Sequence, residues 1–189
     1  LFPFSCLKKV HCYTLSRCSM KRLLKESIER IGTYQPGKPI EELEREYGIK
    51  EAVKLASNEN PLGPSPKAVE AITATLQRIN RYPDSHGYYL REKLSQKLGI
   101  KPDNLCLGNG SDEIIQLLTQ AFLLPGEEVI IGDPTFSFYQ MAVVAAGGKE
   151  IMVPLKDFSY DLPAIIDRIT AETKLIFINT PLNPTGAII

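Results

Sequence analysis

The sequence predicts an α/β fold with a mostly parallel sheet, and three observations predict it. From Leu105 onward, short apolar runs alternate with helical patterns, as parallel strands joined by right-handed crossovers do. The run Leu175-Ile176-Phe177-Ile178 is continuously apolar, which suits a strand buried on both faces. It ends in Asn179-Thr180-Pro181-Leu182-Asn183-Pro184-Thr185-Gly186, an abrupt turn at a strand's carboxyl end, where open α/β sheets bind ligands.

The elements follow in order. Leu1 to Ser19 contains no Asp or Glu but holds Cys6, Cys12 and Cys18. It reads as a leader upstream of a start at Met20. An acid-poor transit peptide is one alternative. A metal site built on Cys6, His11, Cys12 and Cys18 is another, but it lacks a Cys-x2-Cys pair. Met20 to Ile31 shows Leu23, Leu24, Ile28 and Ile31 on one helical face. Tyr34-Gln35-Pro36-Gly37-Lys38-Pro39 breaks that helix, and Glu41 to Tyr47 allows a further helical turn. Val53 to Ala56 is a short strand candidate leading into the rigid loop Ser57-Asn58-Glu59-Asn60-Pro61-Leu62-Gly63-Pro64. Ser65 then caps a helix with Pro66 at its first position and Val69, Ile72, Leu76 and Ile79 on its apolar face.

Arg81-Tyr82-Pro83-Asp84 makes a second turn. A helix over 88–98 carries Leu90, Leu94 and Leu98 and stops at Gly99. Beyond it the expected strands are 105–107, 128–131, 150–153 and 175–179, and the expected helices are 112–123, 136–146 and 162–170.

Composition excludes several classes. The chain has 189 residues, 43% hydrophobic and 23% charged, with formal net charge zero, which offers no basic excess for nucleic acid. No apolar run approaches the roughly 18 residues that span a membrane. Beyond the leader only Cys106 remains, which supports no disulfide framework and fits a reducing cytoplasm.

Three loops carry chemistry. In Gly108-Asn109-Gly110-Ser111-Asp112-Glu113, two glycines permit tight turns, and the helix start offers unpaired N–H groups and a positive dipole end. Together these suit a phosphate; the plainer alternative is a glycine loop in which Ser111 or Asp112 only caps the helix. A dinucleotide fingerprint would need a third glycine where Glu113 stands, so a nicotinamide enzyme is disfavoured. In Asp133-Pro134-Thr135-Phe136-Ser137-Phe138-Tyr139 an aromatic could stack on a flat heteroaromatic ring, although single aromatics more often serve as core. The third loop holds Asn183 between prolines.

These loops, with Tyr34-Gln35-Pro36-Gly37-Lys38-Pro39, Leu55-Ala56-Ser57-Asn58-Glu59-Asn60-Pro61 and Arg81-Tyr82-Pro83-Asp84, resemble the fold-type I pyridoxal-phosphate aminotransferases from about Ile31 onward. Within that group the chain looks like a histidinol-phosphate aminotransferase. The resemblance implies a three-layer αβα sandwich, incomplete here. It assigns 20–60 to an N-terminal arm and small-domain segment and 61–189 to the first half of the cofactor-binding large domain, with about four of its strands. It implies pyridoxal 5'-phosphate as cofactor. The amides of Gly110, Ser111 and Asp112 would hold its phosphate, Phe136 would stack on its ring, and Asn183 would bond its phenolic oxygen. Tyr82 would reach the phosphate of a partner subunit in a homodimer, and Tyr34 and Asn58 would lie near substrate.

The family's Schiff-base lysine, its pyridine-pairing aspartate and its carboxylate-binding arginine would lie downstream. Lys54, Lys67, Lys149 and Lys174 read as solvated surface. The implied reaction is amino-group transfer between histidinol phosphate or glutamate and the matching keto compounds. The alternatives are an aromatic aminotransferase, a threonine-phosphate decarboxylase, and a non-catalytic phosphate-binding module.

Overall fold

A computed structural model of the chain describes residues 25–31 and 37–189. The leader and Tyr34, Gln35 and Pro36 of the first turn lie outside the described residues, as does the first part of the helix expected from Met20. The chain divides into two compact units, Leu1–Gly32 with Gly108–Ile189, and Thr33–Leu107.

In the second of these, Ile40–Tyr47 forms α2 and Pro66–Thr75 forms α3, with Pro66 in the first turn, where a missing N–H costs nothing. Ser65 precedes α3 without a side-chain cap bond. Tyr88–Leu98 forms α4, which ends at Gly99 in the left-handed conformation, as the sequence predicts. Arg91 ties α4 to the following turn by donating two hydrogen bonds, 2.6 and 3.1 Å long, to the Pro102 carbonyl. Residues 53–56 and 105–107 pair with nothing among the described residues, so the two strands expected there are not formed. A short apolar run becomes a strand only if a neighbour takes its N–H and C=O groups. Leu55 lies 93% exposed instead, and Val69, Ile72, Leu76 and Ile79 on and beyond α3 are also exposed. No described residue of this unit is buried.

The other unit holds the core. A single turn, α1 (Glu26–Glu29), precedes it. α5 (Gly110–Phe122) leads into β1 (Glu128–Asp133), and α6 (Phe138–Ala146) into β2 (Lys149–Pro154). α7 (Leu162–Asp167) leads into β3 (Thr173–Phe177). α6 starts two residues later than expected because Phe136 and Ser137 belong to the turn after Pro134. α7 is capped by Asp161, whose carboxylate accepts from the Ala164 amide at 3.1 Å, and it ends three residues short of the expected 170.

The three strands form one parallel sheet in the order β2-β1-β3, with Ile131 opposite both Met152 and Phe177. β1 is central, and its Val129, Ile130 and Ile131 are fully buried. One face of the sheet packs Val129 and Ile131 with Ile115, Leu123, Ala142, Val143 and Phe177. The other packs Ile130 with Val153, Tyr160, Ile165 and Leu182. β3 is an edge strand among the described residues, and its Ile176 is 39% exposed despite the apolar run.

Candidate active site

All loops that leave the carboxyl ends of parallel strands open on one side of the sheet. The β1–α6 turn and the segment after β3 are therefore neighbours. A hydrogen bond joins them: the Thr135 hydroxyl donates to the Asn179 Oδ1 at 3.0 Å. α5 runs back to the amino end of β1 through Leu123 to Glu127, so its own first turn lies toward the same carboxyl edge.

At that first turn Asn109 has φ −78° and ψ 73°, and the Gly110 amide donates to the Gly108 carbonyl at 3.0 Å. This is an inverse γ-turn. Gly110 follows with φ +80°, a left-handed conformation that costs glycine nothing, and open space surrounds the place where a Cβ would stand. The Gly110 amide is thus already committed. The Ser111 and Asp112 amides have no intrahelical acceptor in the first turn and no other partner among the described residues. Glu113 holds the loop from below. Its Oε2 accepts from the Asn109 backbone amide at 2.5 Å and from the Asn109 Nδ2 at 3.1 Å. In the sequence Glu113 is visible only as the missing third glycine.

Phe136 is half-buried against the core, edge-on to Tyr139 at 5.6 Å and tilted to Phe138 at 6.4 Å. Tyr139 stacks on Phe177 of β3 at 4.6 Å and 10°. Burial pushes the Tyr139 phenol above its ordinary value, and nearby Tyr160 adds to that shift. The aromatic turn is therefore anchored to the end of β3.

The third loop is closed by two backbone bonds, Leu182 N–H to the Ala187 carbonyl at 2.8 Å and Gly186 N–H to the Leu182 carbonyl at 2.6 Å. Leu182 is 2% exposed and plugs the loop into the core. Asn183, beside it, is half-buried.

The family model described as aminotransferase class I and II matches residues 50–189. The chain belongs to that family. It is 51% identical over 165 residues to a histidinol-phosphate aminotransferase of Moorella thermoacetica, covering 87% of this chain and 43% of that relative. It is 48% identical over 168 residues to the protein of the same name from Desulfotalea psychrophila, covering 89% and 44%. Among solved structures, the crystal structure of histidinol-phosphate aminotransferase from Sinorhizobium meliloti, in complex with pyridoxal-5'-phosphate, superposes with a TM-score of 0.74 at 25% identity. That match covers 85% of this chain and 43% of that one. The chain thus spans less than half the length of the relatives it matches.

Gly110, Ser111, Asp112, Phe136 and Asn183 stand in the one unit of this aminotransferase-family chain. Tyr82, which is fully exposed, and Asn58, exposed with φ 51°, belong to the other unit. Tyr34 lies outside the described residues. Asp84 of the Arg81-Tyr82-Pro83-Asp84 phrase caps α4, with its carboxylate accepting from the Tyr88 amide at 2.7 Å and the His86 amide at 3.0 Å. Those two bonds, Tyr88 first, hold its pKa below the ordinary carboxylate value. Lys174 pairs with Glu127 at 3.3 Å. Lys54 departs from the expected solvated surface, being half-buried and paired with Glu59 at 2.9 Å. Sequence reasoning missed Asn179, Tyr160 and Leu182 as parts of the site's frame. Among the described residues no cluster of His, Cys, Asp or Glu could hold a metal ion, and no helix is long and apolar enough to cross a membrane.

Proposed function

We propose that this chain carries the phosphate- and ring-binding part of a pyridoxal-phosphate-dependent histidinol-phosphate aminotransferase. The observation that carries this reading is identity of 51% and 48%, across nearly nine-tenths of the chain, with relatives of that name. The donor set fits the cofactor. The free Ser111 and Asp112 amides at the start of a 13-residue helix, beside the open space at Gly110, suit a phosphate dianion. Phe136 offers a ring-sized apolar face held by its aromatic neighbours. Asn183 offers an amide donor for a ring oxygen.

When bound, pyridoxal phosphate supplies an electron sink for bonds at the substrate's Cα. The chain's own residues bind and orient. Ser111 and Asp112 fix the phosphate end, with Gly110 supplying the turn. Phe136 sets the plane, and Asn183 donates to the phenolic oxygen and favours its charged form. We assign no residue of this chain as the Schiff-base lysine. The finer architecture belongs to the same proposal: a three-layer αβα sandwich whose large domain includes 61–189, with 20–60 as arm and small-domain segment. It extends to a cytoplasmic homodimer in which Tyr82 reaches the partner's cofactor phosphate, with Tyr34 and Asn58 near substrate.

The test uses the full-length gene product that contains this chain. It should bind pyridoxal phosphate, seen as a visible absorbance band retained after gel filtration. Absence of bound cofactor after reconstitution would overturn the reading.

A further inference from the structure

Three loops at the carboxyl edge of the sheet meet in one side-chain network. Tyr160, from the segment after β2, donates its hydroxyl to the Asn179 Oδ1 at 2.6 Å and accepts from the Asn179 backbone amide at 3.1 Å. Thr135, from the turn after β1, donates to the same Oδ1 at 3.0 Å. The Asn179 Nδ2 donates to the Pro181 carbonyl at 3.3 Å. Both lone pairs of one amide oxygen are therefore filled by hydroxyls from two other loops.

Space for this arrangement is provided by Gly132. A Cβ there would stand 2.5 Å from the Tyr160 Cε1 and 2.9 Å from its Cδ1, so the ring lies directly over the backbone of β1. Tyr160 is only 7% exposed and packs with Ile130 and Leu182, which leaves its hydroxyl one direction to point.

The positions along the chain give the network its meaning. Thr135 immediately precedes Phe136. Asn179 stands four residues before Asn183, and the Pro181 carbonyl it holds lies between them. We propose that Thr135, Tyr160 and Asn179 are positioning residues that set the distance between the Phe136 ring platform and the Asn183 amide. The inference rests on the reading of that site as a pyridoxal-phosphate site. A flat ring gripped on its face by one loop and at its edge by another needs both loops in register. Thr135 and Tyr160 themselves would touch no cofactor. They act through the residues beside them.

The test compares cofactor affinity with stability in the full-length gene product. Thr135→Val removes the hydroxyl at nearly constant shape, and Thr135→Ser restores it. Loss of one neutral hydrogen bond corresponds to about fivefold in an equilibrium constant. Equilibrium dialysis should show Thr135→Val binding pyridoxal phosphate about fivefold more weakly, with Thr135→Ser recovering the parent's affinity. The pH midpoint of the bound cofactor's absorbance should shift in Thr135→Val but not in Thr135→Ser, as Asn183 loses register with the ring. Tyr160→Phe should repeat both effects, and it decides the matter if Thr135→Val does not fold. Variants whose urea midpoint falls while affinity and absorbance midpoint stay unchanged would show a merely structural role and overturn the inference. A parent protein that binds no pyridoxal phosphate would instead overturn the underlying reading.

Discussion

Leu182→Ala gives the sharpest test of how the Asn183 loop is held. Leu182 is 2% exposed and lies in the cluster of Ile130, Val153, Tyr160 and Ile165. Truncation to alanine removes three carbons from that cluster, worth about 2.4 kcal/mol at roughly 0.8 kcal/mol for each buried methylene. A loop closed by two backbone bonds at Leu182 collapses poorly into the space left, and the cavity raises the cost to about 3–4 kcal/mol. Ile166→Ala on α7 is the control, since Ile166 is 63% exposed and its loss should cost less than about 0.5 kcal/mol. The assay is urea unfolding of the full-length gene product followed by circular dichroism, with cofactor affinity measured on the same samples. Leu182→Ala should lower the midpoint far more than the control and also weaken cofactor binding, because the same side chain seats Asn183. Equal midpoints for the two variants would refute the claim that Leu182 anchors the loop.

Asn183→Ala should slow turnover in the full-length protein by the equivalent of about 1.5–3 kcal/mol, the loss of one hydrogen bond to a charged oxygen, with unfolding unchanged; unaltered kinetics would mean that Asn183 faces away from the ring. Asp84 has its pKa held below the ordinary 3.8 by the Tyr88 and His86 amides. Its contribution to the start of α4 is therefore complete above that value and lost as pH falls through the lower folded value. Hydrogen exchange at Tyr88, corrected for the intrinsic pH effect, should rise in that acid range and should be high at all pH in Asp84→Ala. Residues 1–189 expressed alone should be insoluble or molten, because the outer edge of β3 is unpaired among the described residues and Leu55, Leu62 and Ile79 are exposed; a soluble monomer with a sharp thermal transition would contradict this.

Elements governed by local rules were legible in the sequence. Leucines four apart and a terminal glycine placed α4, and the apolar run Val129-Ile130-Ile131 placed β1. Local rules fail where a partner decides. Val53 to Ala56 and Leu105 to Leu107 have strand-like composition, but no neighbouring strand among the described residues pairs with them. β3 is as apolar as β1, yet β1 is the buried strand because it lies between the other two. The three loops of the candidate site were legible because glycine, proline and asparagine mark tight turns. What holds those loops together was not. Thr135, Tyr160 and Asn179 are separated by up to 44 residues, and no periodicity links them. Glu113 was visible only as a departure from a glycine pattern, although its carboxylate fixes the Asn109 amide.

The proposed function is that of an enzyme acting on histidinol phosphate. The most direct measurement is glutamate formed from 2-oxoglutarate by the full-length gene product with pyridoxal phosphate, comparing histidinol phosphate with phenylalanine and threonine phosphate as amino donors. Glutamate should form with histidinol phosphate at a kcat/KM well above that for the other two. Turnover of phenylalanine with none of histidinol phosphate would contradict the proposed function.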